Sequence, residues 1–331
     1  MQYKAFIGVD VSKGTIDAFI HGRNLHRQFS NDRIGYRTFL NWAIRSLSVQ
    51  LHTEAIVCFE HTGLYSLTLA AYLDEVKVPF SMISALQIKR SLGITRGKTD
   101  RIDSRRIAEY AYLHRESLAL TKLPSSSILK LQPLLTLRSR LVRDRGGYEA
   151  TQKEQLRFLA NQKIPALFDT FTGIINALKT EIRKVEFAIK EILTSDEELK
   201  RTLNLITGIK GVGFIVGTYM IVHTHNFTRF ENWRKFACYA GIAPFENQSG
   251  TIRGKTKVSP LANKQIKTML HMAALRAAHT DKELSIYYQK RIECGKSKLE
   301  TLNIIRNKVV SRVFAIAKRQ TPYVDVLRYV A

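Results

Sequence analysis

The sequence predicts an α/β domain at the start of the chain and a mostly helical remainder. Three observations support this fold class. Short apolar runs bounded by turn residues recur in the first third, which is typical of buried strands. Strand-like and helix-like segments then alternate, as they do in α/β domains. Beyond about residue 128, apolar residues recur at helical spacing and strand signals become scarce.

Three short strands are predicted first, at about residues 3–9, 15–21 and 24–30. Lys13-Gly14 lies between the first two, and His21-Gly22 lies between the second and the third. Dipeptides of this kind are turn signals, because glycine adopts tight-turn conformations at no steric cost. Successive strands joined by tight turns predict an antiparallel meander.

Helices and strands alternate after the meander. The predicted elements are a helix at Gly35–Leu47, a strand ending at Glu60, a helix at Leu64–Leu73, a strand at Phe80–Ile83, a helix at Ala85–Leu92 and a helix starting at Asp100. The order βββαβαβα predicts a ribonuclease-H-like fold, with strands 4 and 5 parallel beside strand 1. The strands that end at Asp10 and Glu60 are then neighbours.

The second region carries a heptad pattern. Its apolar residues step alternately by four and three: Phe171, Ile175, Leu178, Ile182, Val185, Ile189 and Ile192. Such a seam predicts a coiled-coil hairpin of two long helices. The hairpin either pairs with a second copy of itself or packs only on its own chain.

The last region is predicted to be mostly helical. Leu205–Gly213 resembles the hairpin of a helix-hairpin-helix motif, in which glycines let the backbone approach a phosphate. A plain glycine-rich turn between two helices is the alternative. Gly241–Ser259 is predicted as a loop, and basic amphipathic helices are predicted at Leu261–Ala278 and Leu299–Arg319. The predicted domains are therefore 1–125, 126–199 and 200–331.

The chain is strongly basic. Its net charge is +24 over 331 residues, and residues 201–331 alone hold 22 Lys and Arg against 7 Asp and Glu. An excess of this size indicates a polyanionic partner, most often nucleic acid. No stretch approaches the roughly 18 apolar residues that a membrane-spanning helix needs. The first residues lack a signal-peptide pattern, and the three cysteines are scattered, so we expect a cytoplasmic protein that does not enter a membrane.

Four acidic residues are the strongest functional signal. Asp10 and Glu60 each end an apolar strand, while Asp100 and Asp103 lie three apart at the start of a helix and share one face. Carboxylates held together in a partly dry site repel one another unless a cation neutralises them. Mg²⁺ prefers oxygen ligands and phosphate substrates. The four residues therefore predict a site for Mg²⁺, with Mn²⁺ as the alternative ion.

Simpler roles are open for the second acidic pair. Asp100 follows Thr99, a possible N-cap, and its carboxylate would favour the helix dipole in any case. Asp103 has Arg106 and Arg101 within pairing distance along the helix. These alternatives involve no metal.

Ser249 is a candidate nucleophile. A serine beside glycine is ordinarily a turn residue, but the basic neighbours Arg253, Lys255 and Lys257 would bind a phosphate and ease ionisation of the hydroxyl. No histidine or aspartate is adjacent to serve as a base. The predicted nucleic-acid contacts are Arg96, Lys98, Arg101, Arg105, Lys210, Gly211, Gly213, Arg253, Lys255 and Lys257. A merely solvated charge cluster is the alternative for the basic loop at Arg96–Lys98.

Six segments together resemble the DEDD insertion-sequence transposases of the IS110 type, also called bridge-RNA-guided recombinases. They occur in the family's order over nearly the whole chain: Gly8–Lys13, Glu60–Tyr65, Lys98–Arg105, Ile206–Gly213, Phe236–Pro244, and Ser249-Gly250 with Arg253-Gly254. Each is modest alone, and together they are specific. The resemblance implies a RuvC-like N-terminal domain and a C-terminal transposase domain.

The resemblance also implies a mechanism and partners. Asp10, Glu60, Asp100 and Asp103 match the family's magnesium ligands, and Ser249 matches its serine nucleophile, which forms a covalent 5′-phosphoserine link to DNA. The carboxylates and the serine of one active site come from different protomers, so a homodimer or a homotetramer is expected. An element-encoded bridge RNA would pair with double-stranded donor and target DNA, while the protein holds the strands by backbone and shape.

Two other functions are compatible with the residues alone. A metal-only nuclease of the Holliday-junction-resolvase type would use the same carboxylates and leave Ser249 a structural role. A nucleic-acid-binding remnant would retain the basic surface without catalysis.

Overall fold

The computed structural model describes residues 3–47, 49–61, 63–91, 99–159, 164–249 and 252–324. The chain divides into two compact units, residues 1–123 and residues 124–331. The first is a mixed α/β unit and the second is mostly helical, which confirms the predicted fold class at this level. The boundaries of the three predicted domains stay a prediction.

The first unit contains five strands and five helices among its described residues. In chain order they are β1 (Ala5–Val11), β2 (Thr15–Ile20), β3 (Leu25–Ser30), α1 (Arg33–Ser46), α2 (Leu51–Glu54), β4 (Ala55–Glu60), α3 (Leu64–Glu75), β5 (Phe80–Ile83), α4 (Ala85–Ser91) and α5 (Asp100–Leu113). All were predicted except the four-residue α2, which is too short to leave a periodic signal.

The strands form one sheet in the order β3-β2-β1-β4-β5. The pairs β1–β2 and β2–β3 are antiparallel, whereas β1–β4 and β4–β5 are parallel. This confirms the predicted neighbourhood of strands 1 and 4. Val9 is paired with Phe59, so Asp10 and Glu60 follow at the same end of the two strands.

Both faces of the sheet are covered, which explains why its central strands are apolar throughout. Ile7, Val9 and Phe59 belong to one core cluster, together with residues of α1 and α3. Phe6 and Cys58 belong to the cluster on the other face, together with residues of α5. Because side chains alternate along a strand, Asp10 and Glu60 lie on the face that α5 covers.

Gly8 allows α5 to lie directly on the sheet. A Cβ atom at this position would be 2.2 Å from the Ser104 carbonyl oxygen and 2.2 Å from the Ala108 nitrogen. Ser104 and Ala108 are both fully buried. Only glycine fits there, and the contact brings the first turn of α5 toward Asp10, two residues beyond Gly8 on the same face.

The second unit contains eight helices and a β-hairpin among its described residues. In chain order the elements are α6 (Ser126–Phe158), α7 (Pro165–Ser195), α8 (Glu197–Thr207), α9 (Phe214–Thr224), α10 (Trp233–Tyr239), β6 (Pro244–Ser249), β7 (Ile252–Val258), α11 (Lys264–Thr280), α12 (Lys282–Glu293) and α13 (Lys298–Arg319). Within the described ranges, no helix of either unit has the length and apolar character that a membrane crossing needs.

Helices α6 and α7 form the predicted antiparallel hairpin. The Arg138 guanidinium binds the Glu186 carboxylate at 2.7 Å near one end, and Gln152 Nε2 donates to Thr172 Oγ1 at 3.1 Å near the other. Val185 and Ile189 of the heptad seam are buried in one core cluster with residues of α6. The seam is therefore used within the chain; pairing with a second copy stays a prediction.

The predicted loop at Gly241–Ser259 is wrong for most of its length, because β6 and β7 form an antiparallel pair there. The described side chains of the hairpin are exposed, apart from that of Val258, which is half-buried. A strand that buries neither face carries no alternating apolar signal, so its sequence looks like a loop. The prediction also missed α12, whose apolar face is short.

We predict that Gly8→Ala destabilises the first unit by about 1–3 kcal/mol, because the methyl group forces α5 away from the sheet. Urea unfolding followed by circular dichroism measures this change. Gly14→Ala is the matched control, since nothing lies within 4 Å of a Cβ atom built at Gly14. Equal unfolding midpoints for the two variants would contradict the proposed contact.

Candidate active site

The four predicted carboxylates are supplied by three elements of the first unit. Asp10 is near the end of β1 and Glu60 is the last residue of β4, whereas Asp100 and Asp103 are in the first turn of α5. Thr99 caps this helix, because its hydroxyl oxygen accepts a hydrogen bond from the Ile102 amide at 3.3 Å. The capping expected from the sequence is therefore present.

The electrostatics of Asp10 show that these side chains share one neighbourhood. The pKa of Asp10 is raised to about 6. Burial is the largest cause, followed by the negative charges of Asp103, Asp100, Glu60 and Asp17 in decreasing order. Burial alone would raise this pKa, but the additional contributions of the acidic residues require their carboxylates to be near Asp10. The fold thus gathers the predicted residues around Asp10.

The carboxylates do not form a closed cage. Across the ranges that the structure describes, no three His, Cys, Asp or Glu side chains converge closely enough to hold a metal ion. Asp103 accepts a hydrogen bond from Arg106 at 2.9 Å, which is one of the alternatives that the sequence left open. The donor set consists of carboxylate oxygens and fits Mg²⁺ chemically. The ion pair with Arg106 occupies one oxygen of the Asp103 carboxylate.

Asp17 is a fifth carboxylate that the sequence prediction missed. It lies opposite Asp10 in the β1–β2 register and is almost fully buried. Asp17 accepts hydrogen bonds from His26 at 2.8 Å and from the Gln28 side-chain amide at 2.9 Å. Opposed residues of an antiparallel pair point to the same face, so the meander register contained the signal.

The basic residues near this site are partly described. Arg101 and Arg105 are exposed on α5, as a contact with nucleic acid requires. Arg96 and Lys98 lie outside the described residues. No nucleic acid is present, so these contacts stay predictions.

The glycine-rich segment of the second unit forms the turn between α8 and α9. Gly211 has φ +93°, and a Cβ atom there would be 2.4 Å from the Ala273 carbonyl oxygen of α11. This close approach explains the glycine without invoking a ligand. Gly213 is the N-cap of α9 and Lys210 is exposed. A phosphate contact at this turn stays a prediction.

Ser249 is the last residue of β6 and is paired with Ile252 of β7. It is thus at the tip of the hairpin that replaces the predicted loop. The side chains of Ser249, Arg253 and Lys255 are outside the described part of the structure. Lys257 lies further down β7, opposite Phe245, and is exposed.

Comparison with known proteins matches both units. A family described as "Transposase", the DEDD type of IS110, matches residues 7–165. The family described as "Transposase IS116/IS110/IS902 family" matches residues 203–289. The first match includes every carboxylate discussed above, and the second includes the hairpin with Ser249.

Three curated relatives are similar to the chain. The pilin gene-inverting proteins of Moraxella bovis and Moraxella lacunata are each 25% identical over 331 residues, covering 97% of this chain and 98% of the relative. An uncharacterised 43.6 kDa protein of insertion element IS110 from Streptomyces coelicolor is 25% identical over 160 residues, covering 48% of this chain and 38% of the relative.

We predict that Asp10→Asn stabilises the metal-free protein at pH 8 but not at pH 4. The folded-state pKa of about 6 lies above the ordinary aspartate pKa of 3.8, so the unfolded state ionises first and stability falls as the pH rises from about 4 to 6. After allowance for solvent screening of this half-buried group, we expect a gain of about 1 kcal/mol at pH 8.

Thermal unfolding in EDTA measures this difference. Asp74→Asn, which neutralises an exposed aspartate of α3, is the control. A stabilisation of Asp10→Asn that is the same at both pH values would mean that the pKa of Asp10 is not raised in the folded protein.

Proposed function

The chain belongs to the IS110-type DEDD transposases, and we propose that it cuts and rejoins DNA strands with a divalent cation and the hydroxyl of Ser249. As a member of this family it is a DNA-recombining enzyme. The observation that supports the proposal most directly is the packing of α5 on β1 at Gly8, because Asp100 and Asp103 open α5 while Asp10 and Glu60 lie at the neighbouring ends of β1 and β4. The finer features of the mechanism follow from the residues below.

The first unit is, in this proposal, a ribonuclease-H-like domain of the RuvC type. Three features support it: the strand order β3-β2-β1-β4-β5, the antiparallel meander that opens the chain, and α5 packed on β1. In this arrangement the ends of β1 and β4 and the start of α5 meet at one edge of the sheet.

Asp10, Glu60, Asp100 and Asp103 would hold Mg²⁺, or Mn²⁺ in its place. When bound, the cation supplies a Lewis acid that polarises a phosphodiester and stabilises a leaving oxygen. The carboxylates themselves supply the negative potential that attracts it, which the shifted pKa of Asp10 reports. Asp17 adds to that potential from the neighbouring strand, while its bonds to His26 and Gln28 hold it in place.

Ser249 would attack the phosphorus atom through its Oγ. The bond from phosphorus to the 3′ oxygen breaks, that oxygen takes up a proton, and the 5′ phosphate remains esterified to the serine. Rejoining is the reverse: a 3′ hydroxyl attacks the phosphoserine ester and frees Ser249. The position of Ser249 at the tip of an exposed hairpin, followed by Arg253, Lys255 and Lys257, supports contact with a phosphate backbone.

The partners follow from charge and family. A net charge of +24 supplies sequence-independent attraction to nucleic acid, which weakens as salt rises. We propose double-stranded donor and target DNA as substrates and an element-encoded bridge RNA as the guide, on the basis of the resemblance. A homodimer or homotetramer would bring carboxylates and serine from different protomers to one phosphate.

We predict that Ser249→Ala abolishes the covalent protein–DNA adduct, lowering its rate of formation by at least about a thousandfold. A denaturing gel with end-labelled DNA detects the adduct. Thr256→Ala, which removes an exposed hydroxyl from β7, should leave the adduct intact. A metal-only nuclease would keep cutting DNA after Ser249→Ala, and that result would overturn the serine mechanism.

Asp10→Ala is predicted to eliminate strand cleavage and adduct formation while preserving DNA affinity, because the basic surface is unchanged. Gel-shift titration and the adduct assay separate the two properties. Unchanged strand cleavage and adduct formation in Asp10→Ala would point to a nucleic-acid-binding remnant instead.

Arg106→Gln is predicted to raise the apparent affinity for Mg²⁺ or Mn²⁺ by up to about fivefold. The substitution releases Asp103 and removes a nearby positive charge. Thermal-shift titration with the metal measures it. Arg33→Gln is the control, since Arg33 pairs with Glu75 rather than with a proposed ligand. Weaker metal stabilisation in Arg106→Gln would show that Arg106 supports the site.

A further inference from the structure

The root of the β6–β7 hairpin is held by two side-chain amides of α13. Asn303 Nδ2 and Asn307 Nδ2 both donate to the carbonyl oxygen of Ile242, at 2.9 Å and 3.0 Å. Ile242 is fully buried and lies two residues before β6 begins. One carbonyl oxygen with two amide donors has both lone pairs satisfied, which fixes the peptide plane at this point.

Arg306 orients one of these amides. Its Nη1 donates to Asn303 Oδ1 at 3.2 Å, and its Nη2 contacts His271 Nδ1 at 2.7 Å. A guanidinium can only donate, so Asn303 must present its oxygen to Arg306 and its NH₂ group to Ile242. For the same reason His271 accepts through Nδ1, and burial together with Arg306 lowers its pKa, which keeps the ring neutral.

Arg306 is an unusual residue for a purely structural position. Only 9% of it is exposed, its Nε has no hydrogen-bond partner, and within the described ranges no carboxylate pairs with it. Burial of a charge without a counter-ion costs free energy, and an apolar side chain would pack there at lower cost. Two polar contacts distinguish Arg306 from an apolar residue, and the one with Asn303 fixes an amide that holds the hairpin root.

The same root is tied on its other side. Gly241 has φ +64°, and a Cβ atom there would be 2.2 Å from the Ala262 Cβ atom, just after β7. The Asn263 amide donates to the Tyr239 carbonyl oxygen, and Asn263 Nδ2 donates to the Tyr239 hydroxyl, both at 2.9 Å. Beyond the root, the described side chains of the hairpin are mostly exposed, and Phe245 is already 47% exposed.

We propose that Asn303 and Asn307, with Asn303 oriented by Arg306, are positioning residues that set the direction in which the hairpin presents Ser249. This inference rests on the proposed role of Ser249 as nucleophile. Ser249 is seven positions beyond Ile242, so the tip of the hairpin lies about 20 Å from the root at the usual rise per residue of a strand. A rotation of about 5° at the root therefore moves the serine by about 2 Å, enough to misalign a nucleophile by a margin that costs on the order of 10²-fold in rate.

The decisive variant is Asn303→Asp. It keeps the size of the side chain and gains a charge-assisted bond to Arg306, but it replaces the donor to Ile242 by an acceptor. We expect wild-type or higher thermal stability and unchanged DNA affinity. Adduct formation should fall ten- to a hundredfold, and Asn307→Ala should lower it in the same direction.

The rigidity with which the hairpin is held is measured independently of Ser249. A nitroxide label at Gln248→Cys reports it by electron paramagnetic resonance, in a background where the exposed Cys238 and Cys294 are replaced by serine and the buried Cys58 is kept. Asn303→Asp should increase the mobility of the label. An unchanged spectrum overturns the inference.

Ile305→Val is the matched control. Ile305 is fully buried on α13 between the two asparagines, and its side chain has no donor for the Ile242 carbonyl. It should lower the unfolding temperature without changing the label or the adduct rate. If it lowers the adduct rate as much as Asn303→Asp does, the amides are merely structural and the inference fails.

Arg306→Met completes the test. It should lower adduct formation in the wild-type background and have no further effect in an Asn303→Ala background, because Arg306 acts through Asn303. Additive losses would show that Arg306 acts by another route. If Ser249→Ala still forms the adduct, the nucleophile assignment fails, and the label alone then decides whether the amides direct the hairpin.

Discussion

The missing side chain of Gly8 is the constraint on which the candidate active site depends. Because Gly8 has no Cβ, the backbone of α5 at Ser104 and Ala108 rests directly on β1. Any other residue would hold the helix off the sheet. The carboxylates of β1 and of α5 come from segments about 90 residues apart in sequence, and this contact is what makes them neighbours. Their mutual repulsion, seen in the raised pKa of Asp10, is the energetic consequence.

That repulsion explains the polar contacts around the site. Arg106 engages Asp103, and His26 with Gln28 engages Asp17, so these two carboxylates are bound by side chains of the first unit itself. Burial is the largest cause of the raised pKa of Asp10, and the neighbouring negative charges add to it. A divalent cation is the one partner that would neutralise several of these groups together, which is why the donor set favours metal chemistry over a set of separate surface ion pairs.

The sequence predicted what periodicity and strand ends encode, and failed where tertiary contacts decide. Five strands and the start of α5 were predictable because buried strands are apolar and Thr99 precedes an acidic helical turn. The hairpin β6–β7 was not, since an exposed ribbon has no buried face to leave a pattern. Asp17 required the register of the meander. The contact of Gly8 with α5, and the bonds of Asn303 and Arg306 to the hairpin root, join residues distant in sequence, and a single chain contains no local signal of such pairs.

In the proposed mechanism, each unit must hold a reacting group in a precise position, and the two units do so by different contacts. A reacting phosphate must meet groups held to within a fraction of an ångström, although such groups are costly to bury. In the first unit, the carboxylates are placed by a packed helix and a covered sheet, and the cost appears as the shifted pKa of Asp10. In the second unit, Ser249 is on a hairpin whose described side chains are mostly exposed, so the position of the serine depends on the contacts at the hairpin root. The side-chain amides of Asn303 and Asn307 both bind the Ile242 carbonyl, and Arg306 fixes the first of them. These contacts supply at the root the rigidity that packing does not supply along the hairpin.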